Sequence, residues 1–187
     1  MEALLAISDR INAIVQRIAY ASGWLFLVAT VIIIFDVLSR KFGFQIPGFG
    51  STRLQELEWH VHTALFSFWL GMGYIRNTHV RVDVAASNAR PRTQAWIELL
   101  GCILFAIPYC LIAIYFAYDF AAVAFIDNEG SESANGLPYR WIPKGFILIG
   151  LVLLLAAVLS VFLRIIVYLF GPDRLRPAAA FAGARAE

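Results

Sequence analysis

Two Glu–His pairs stand one helical turn apart between Glu56 and His62: Glu56 with His60, and Glu58 with His62. At that spacing each carboxylate shares a helix face with its imidazole, and such pairs can chelate a metal ion. His60 and His62, however, point to different faces, so four ligands do not converge on one ion. A second cluster lies in "NTHVRVDV", Asn77–Val84, where His79, Arg81 and Asp83 alternate with Val80, Val82 and Val84. The alternation is that of a half-buried strand, but no Ser, Cys or second His nearby completes a catalytic set. Asp36 and Asp119 each interrupt an apolar run. Acids inside a membrane mark ion pathways, yet both stand at the ends of their runs, and Asp36 is four residues before Arg40, where the two can pair. Glu98 follows Arg90 and Arg92 and reads as a local salt bridge. Cys102 and Cys110, eight residues apart on one helix, are about 12 Å apart, too far for a disulfide; they read as packing thiols.

The elements that hold these residues are apolar. Of 187 residues, 60% are hydrophobic and 15% charged, with mean hydropathy +0.73. A soluble domain is about a quarter charged. The net charge of +2 is too small to argue for nucleic acid as a partner. A helical span needs about 20 apolar residues, and the sequence offers four candidates, near 18–38, 59–75, 95–118 and 145–166. The fold expected is all-α, with four transmembrane helices in a domain over 18–170. Residues 1–17 place Leu4, Ile7, Ile11, Ile14 and Val15 on one side and Asp9, Arg10, Asn12, Gln16 and Arg17 on the other. They are expected to form an amphipathic helix in the membrane interface; the alternative is the solvated start of the first span. No cleavable signal peptide is evident there. Pro91 is expected to open a helix, and Pro108 to kink the third span by freeing the carbonyl of Leu104. The Ala-rich tail, 171–187, is expected to be disordered and cytoplasmic.

Four spans put the N-terminus, the loop 76–94 and the C-terminus on one side, with ten of the fifteen Lys and Arg residues. The positive-inside rule then places both termini in the cytoplasm. Arg76, Arg81, Arg90 and Arg92 become the residues that hold the central loop inside.

The central two-thirds of all four spans carry no Asp, Glu, Lys, Arg or His. A carrier needs polar groups or broken helices near the midplane, so the chain reads as a scaffold and not as a transport machine by itself. The stretches "ELEWHVHTALFSFWLGMGYIRNTHVRVDV", "RPRTQAWIELLG" and "GLPYRWIPKGFILIGLVLLL" resemble the small Q-type membrane subunit of the tripartite ATP-independent periplasmic (TRAP) transporters. The likeness runs from about Glu56 to Leu155; His62 and Asn77 depart from its pattern. The resemblance implies four membrane helices with both termini inside a bacterial inner membrane. It also implies pairing with a large, sodium-coupled M-type subunit, and a P-type periplasmic binding protein that delivers an organic acid. It implies no cofactor and no catalysis. Partner contacts would fall on an apolar face where Gly71 and Gly73 allow close approach. Others would fall on the outer loops 40–56 and 127–144, with Glu56, Glu58, Tyr139, Arg140 and Lys144. The alternative is a self-contained four-span carrier acting as a homodimer, with Asp36 its essential acid.

Overall fold

A computed structural model describes residues 1–44, 46, 48–78 and 89–181. These form four long helices: α1, Glu2–Phe42; α2, Ser51–Ile75; α3, Pro91–Ile126; and α4, Trp141–Phe170. A 3-10 turn, Asp173–Leu175, follows. The all-α expectation holds. Three helices, α1, α3 and α4, are long and apolar enough to cross a membrane, where four spans were expected. The exception is α2, whose first half carries Glu56, Glu58, His60 and His62. No break separates residues 1–17 from the first span: α1 is one continuous helix of 41 residues.

Local sequence explains the helix ends. Pro91 sits in the first turn of α3 with Arg90 as its N-cap; its missing N–H costs nothing there. Three helices stop the same way. Gly43, Asn77 and Asn128 take positive φ (69°, 54° and 48°) just past α1, α2 and α3. The next N–H then reaches back to a carbonyl of the last turn: Phe44 to Ser39, Thr78 to Gly73, Glu129 to Ala124. This is the Schellman closure, for which Gly and Asn are the favoured residues.

The effect of Pro108 also has a definite form. Over Cys102–Ala106 the helix widens into a π turn, and the Ile107 N–H reaches the Cys102 carbonyl. A proline ring collides with the carbonyl four residues earlier, here that of Leu104, and the wider turn ahead of it relieves the collision.

The chain divides into two compact units, each assembled from segments of all four helices. The first comprises Met1–Arg17, Leu70–Ala113 and the chain from Leu151 on. Its core sets Ala95, Leu99, Cys102 and Cys110 of α3 against Val158, Val161, Ile165 and Leu169 of α4, closed by Phe181. Gly71 of α2 lies so close to α4 that a Cβ there would stand 2.8 Å from the Leu153 carbonyl oxygen. Residues 172–181, within the stretch expected to be disordered, pack in this unit: Ala179 and Phe181 are buried, and Phe181 stacks edge-on against Tyr168.

The second unit comprises Ile18–Trp69 and Ile114–Gly150. Here Gly150 of α4 meets Ser67 of α2, with a built Cβ only 2.6 Å from the Ser67 carbonyl oxygen. The Trp69 indole donates to the Ala19 carbonyl at 2.9 Å, and Phe68 packs edge-on against Phe146.

Candidate functional site

In the second unit the polar ends of the helices and the two connecting loops build one network. Glu56 organises it. Its carboxylate accepts from the Leu137 N–H at 2.5 Å and from the Ser131 hydroxyl. The loop closes on itself as well, Ser131 N–H to Leu137 carbonyl and Arg140 N–H to Glu129 carbonyl. From the same helix, Arg53 donates to the carbonyls of Asn135 and Gly48, tying both loops down. Lys144 bonds Glu129 at 2.5 Å and lies 3.8 Å over the Phe120 ring. Arg140 reaches Glu132 only loosely, at 3.8 Å. Tyr139 is half exposed with φ +65°, a conformation that a bulky residue adopts only where its surroundings hold it. Glu56, Trp59, His60, Thr63, Arg140, Pro143 and Lys144 surround a shallow cavity of about 210 Å³.

Beside this network, Asp36 is almost fully buried, with the Ser51 hydroxyl on one oxygen at 2.8 Å and Arg40 at 2.5 Å from the other. The expected Asp36–Arg40 pairing is therefore present. One oxygen of Glu58 is shut off from solvent and has no hydrogen-bond partner among the described residues. Burial raises its pKa above the ordinary value, the charge of Asp36 raises it further, and Arg40 pulls the other way. Glu56, two residues earlier, shifts in the opposite direction. Burial alone would raise its pKa, but the Leu137 N–H, the Ser131 hydroxyl and Arg140 together bring it below the ordinary 4.5. The two carboxyls thus respond oppositely to acid. The loop-holding contribution of Glu56 is complete above its unfolded pKa and is lost as pH falls through its lower folded value. The charge on Glu58 opposes folding, so its penalty is relieved by acid. Glu56→Gln should loosen the loop by about 1–2 kcal/mol, read as roughly tenfold faster hydrogen exchange at the Leu137 amide near neutral pH. The gap to the unaltered protein should close as the solution is acidified through the lowered folded pKa of Glu56.

The first unit holds a network that the sequence reading missed. Ser8 of α1 and Ser160 of α4 are fully buried, their hydroxyls 2.7 Å apart, and Ser160 also donates to the Asn12 carboxamide oxygen at 2.6 Å. Arg164, one turn further along α4, donates to the Ser8 hydroxyl at 2.9 Å and the Ala178 carbonyl at 2.8 Å, and pairs with Asp9. Nearby, the Tyr74 hydroxyl donates to Glu98 at 3.4 Å.

The expected contact residues divide into several sets. Glu56, Arg140 and Lys144 come together at one loop, with Glu58 close by on α2. Arg76, Arg90 and Arg92 are exposed at helix ends; Arg81, with His79 and Asp83, lies outside the described residues. Gly71 serves the chain's own packing, and the Gly73 carbonyl caps α2. The His60 ring donates from Nδ1 to the Glu56 carbonyl, whereas His62 is exposed.

A family model described as "Tripartite ATP-independent periplasmic transporters, DctQ component" matches residues 29–167. No curated protein and no solved structure matches the chain.

Proposed function

We propose, for a chain that belongs to the DctQ component family of the tripartite ATP-independent periplasmic transporters, that its work is scaffolding. The chain is a small membrane component of a transporter and not an enzyme. In this reading it pairs with the large membrane subunit, which carries an organic acid with sodium, and its loops face the periplasmic binding protein. The observation that carries the reading is where the polar groups lie. From Leu99 to Tyr118 of α3 and from Gly145 to Leu163 of α4 there is no charged residue. Asp36, the acid a self-contained carrier would need, is already engaged by Arg40 and Ser51. A transport path needs polar groups free to bind its cargo.

All four helices span the bilayer in this proposal. α2 is less apolar than the others, but it need not face lipid. Its Ser67 and Gly71 lie against α4, and Ala64, Leu65 and Ser67 are buried. Residues 1–17 lie at the cytoplasmic interface, both termini stay inside, and Arg76, Arg90 and Arg92 hold that orientation, with Arg81. The loop held by Glu56 then faces the periplasm.

Purification in mild detergent and reconstitution test the proposal. The chain should co-purify with the large subunit and show no uptake alone, and the large subunit should lose most of its sodium-dependent uptake without it. Full uptake by the large subunit alone would overturn the scaffold reading. Uptake by this chain alone, abolished by Asp36→Asn, would establish the carrier reading instead.

A further inference from the structure

We propose that the face of α3 bearing Phe105, Tyr109 and Ile112 is covered by a membrane helix of the large subunit, not by lipid, and that this helix presents a hydroxyl or carboxamide side chain to Tyr109. The inference rests on the reading that the chain works beside that subunit.

Glu98 and Asp119 bracket twenty uncharged residues. At 1.5 Å per residue these span about 30 Å, the thickness of the hydrocarbon layer. Tyr109 stands at the middle. It is 64% exposed, and its hydroxyl bonds to no described residue. Phe105 (73% exposed) and Ile112 (58%) share its face, at spacings of four and three. From the midplane a phenol has roughly 15 Å to travel to either headgroup layer, more than twice the reach of the side chain, so it cannot snorkel out. In hydrocarbon the hydroxyl would remain unpaired, at a substantial cost.

The backbone beside it is open on the same side: the π turn at Cys102–Ala106, next to Pro108, is exposed at Ile103, Leu104 and Phe105. Such a turn re-satisfies part of what a proline frees in a membrane helix. A partner side chain that both donates and accepts answers the phenol, which a lipid tail cannot. The exposed face of α1 provides the contrast. Leu27, Val31, Ile34 and Leu38 present only hydrocarbon, and Thr30 turns its hydroxyl back to the Phe26 carbonyl at 2.8 Å. That face suits lipid.

Photocrosslinking in the co-expressed complex tests this. A benzophenone-bearing residue would be placed at 105 or 112 of α3, or at 31 or 34 of α1. Adducts to the large subunit are expected from 105 and 112 and not from 31 and 34. Tyr109→Phe should keep the melting temperature of the isolated chain while the complex surviving detergent falls about threefold to tenfold, the range of membrane hydrogen bonds. Subunit adducts from 31 and 34 only would overturn the proposal and leave subunit pairing intact. So would lipid adducts alone from 105 and 112 in a complex that still co-purifies, or a Tyr109→Phe complex of undiminished yield. Failure of the two subunits to co-purify at all would overturn the pairing itself.

Discussion

Gly150→Leu is expected to leave almost no folded protein in the membrane. A Cβ at this position would stand 2.6 Å from the Ser67 carbonyl oxygen, 2.7 Å from its Cβ and 2.9 Å from its carbonyl carbon. The oxygen and the carbonyl carbon belong to the backbone of α2, so a rotamer change does not clear the way. Overpacking a core costs about 1–3 kcal/mol; pushing two helix backbones apart should reach or pass the top of that range. In lipid no hydrophobic force drives the helices back together, because association there depends on close packing itself. The variant should appear as aggregate in size-exclusion chromatography. Gly71→Ala, with 2.8 Å to the Leu153 oxygen and 3.0 Å to Val15, should fold but melt earlier. At Gly145 an added Cβ meets nothing within 4 Å, and Gly145→Leu should be recovered at the yield of the unaltered chain. If Gly150→Leu elutes as a sharp monodisperse peak at that yield, the close α2–α4 contact is not required.

Arg164→Met should release the tail. The guanidinium is mostly buried and divides its donors between α1, at Ser8 and Asp9, and the tail carbonyls of Ala178 and Ala180. Methionine fills similar volume and supplies no donor. Ser8 is buried but keeps Ser160, whereas Asp9 and Ala178 are exposed and can turn to water, so a loss of about 1–2 kcal/mol is expected here. Trypsin should then cut after Arg174, at the Arg174–Leu175 bond, much faster than in the unaltered protein, while the hydrogen exchange of α2 and α3 stays close to native. Arg164→Lys keeps the charge without the planar fork and should fall between the two. Unchanged cleavage in Arg164→Met would mean that Ala179 and Phe181 hold the tail without the arginine.

Much of this was legible in the sequence. Long apolar runs bounded by charges gave the helices, Pro91 a helix start, and the spacing of Asp36 and Arg40 their ion pair. The blocks around Arg140 and Lys144 led to the family. What escaped was non-local. Ser8 and Ser160 are ordinary small residues until α1 and α4 bring them to 2.7 Å; only the one-turn spacing of Ser160 and Arg164 hinted at a polar stripe. The tail was expected to be disordered from its composition, but its order comes from two residues, Ala179 and Phe181, and from an arginine more than ten positions away. Glu56 looked like a group turned toward a partner because hydropathy shows where a carboxylate lies and not what it bonds. Gly71 and Gly73 were read alike, although one faces another helix and the other closes its own.

The Arg164 hub also orders events during synthesis. It joins residues 8 and 9 to residues 178 and 180. At about 5–20 residues per second on the ribosome, Ser8 and Asp9 wait roughly 10–30 s before their α4 partners, Ser160 and Arg164, exist. Through that interval the two have no partner within the chain, and water must serve them. The N-terminal end of α1 therefore docks only once α4 has been made, and a chain cut short before Ser160 would leave it undocked.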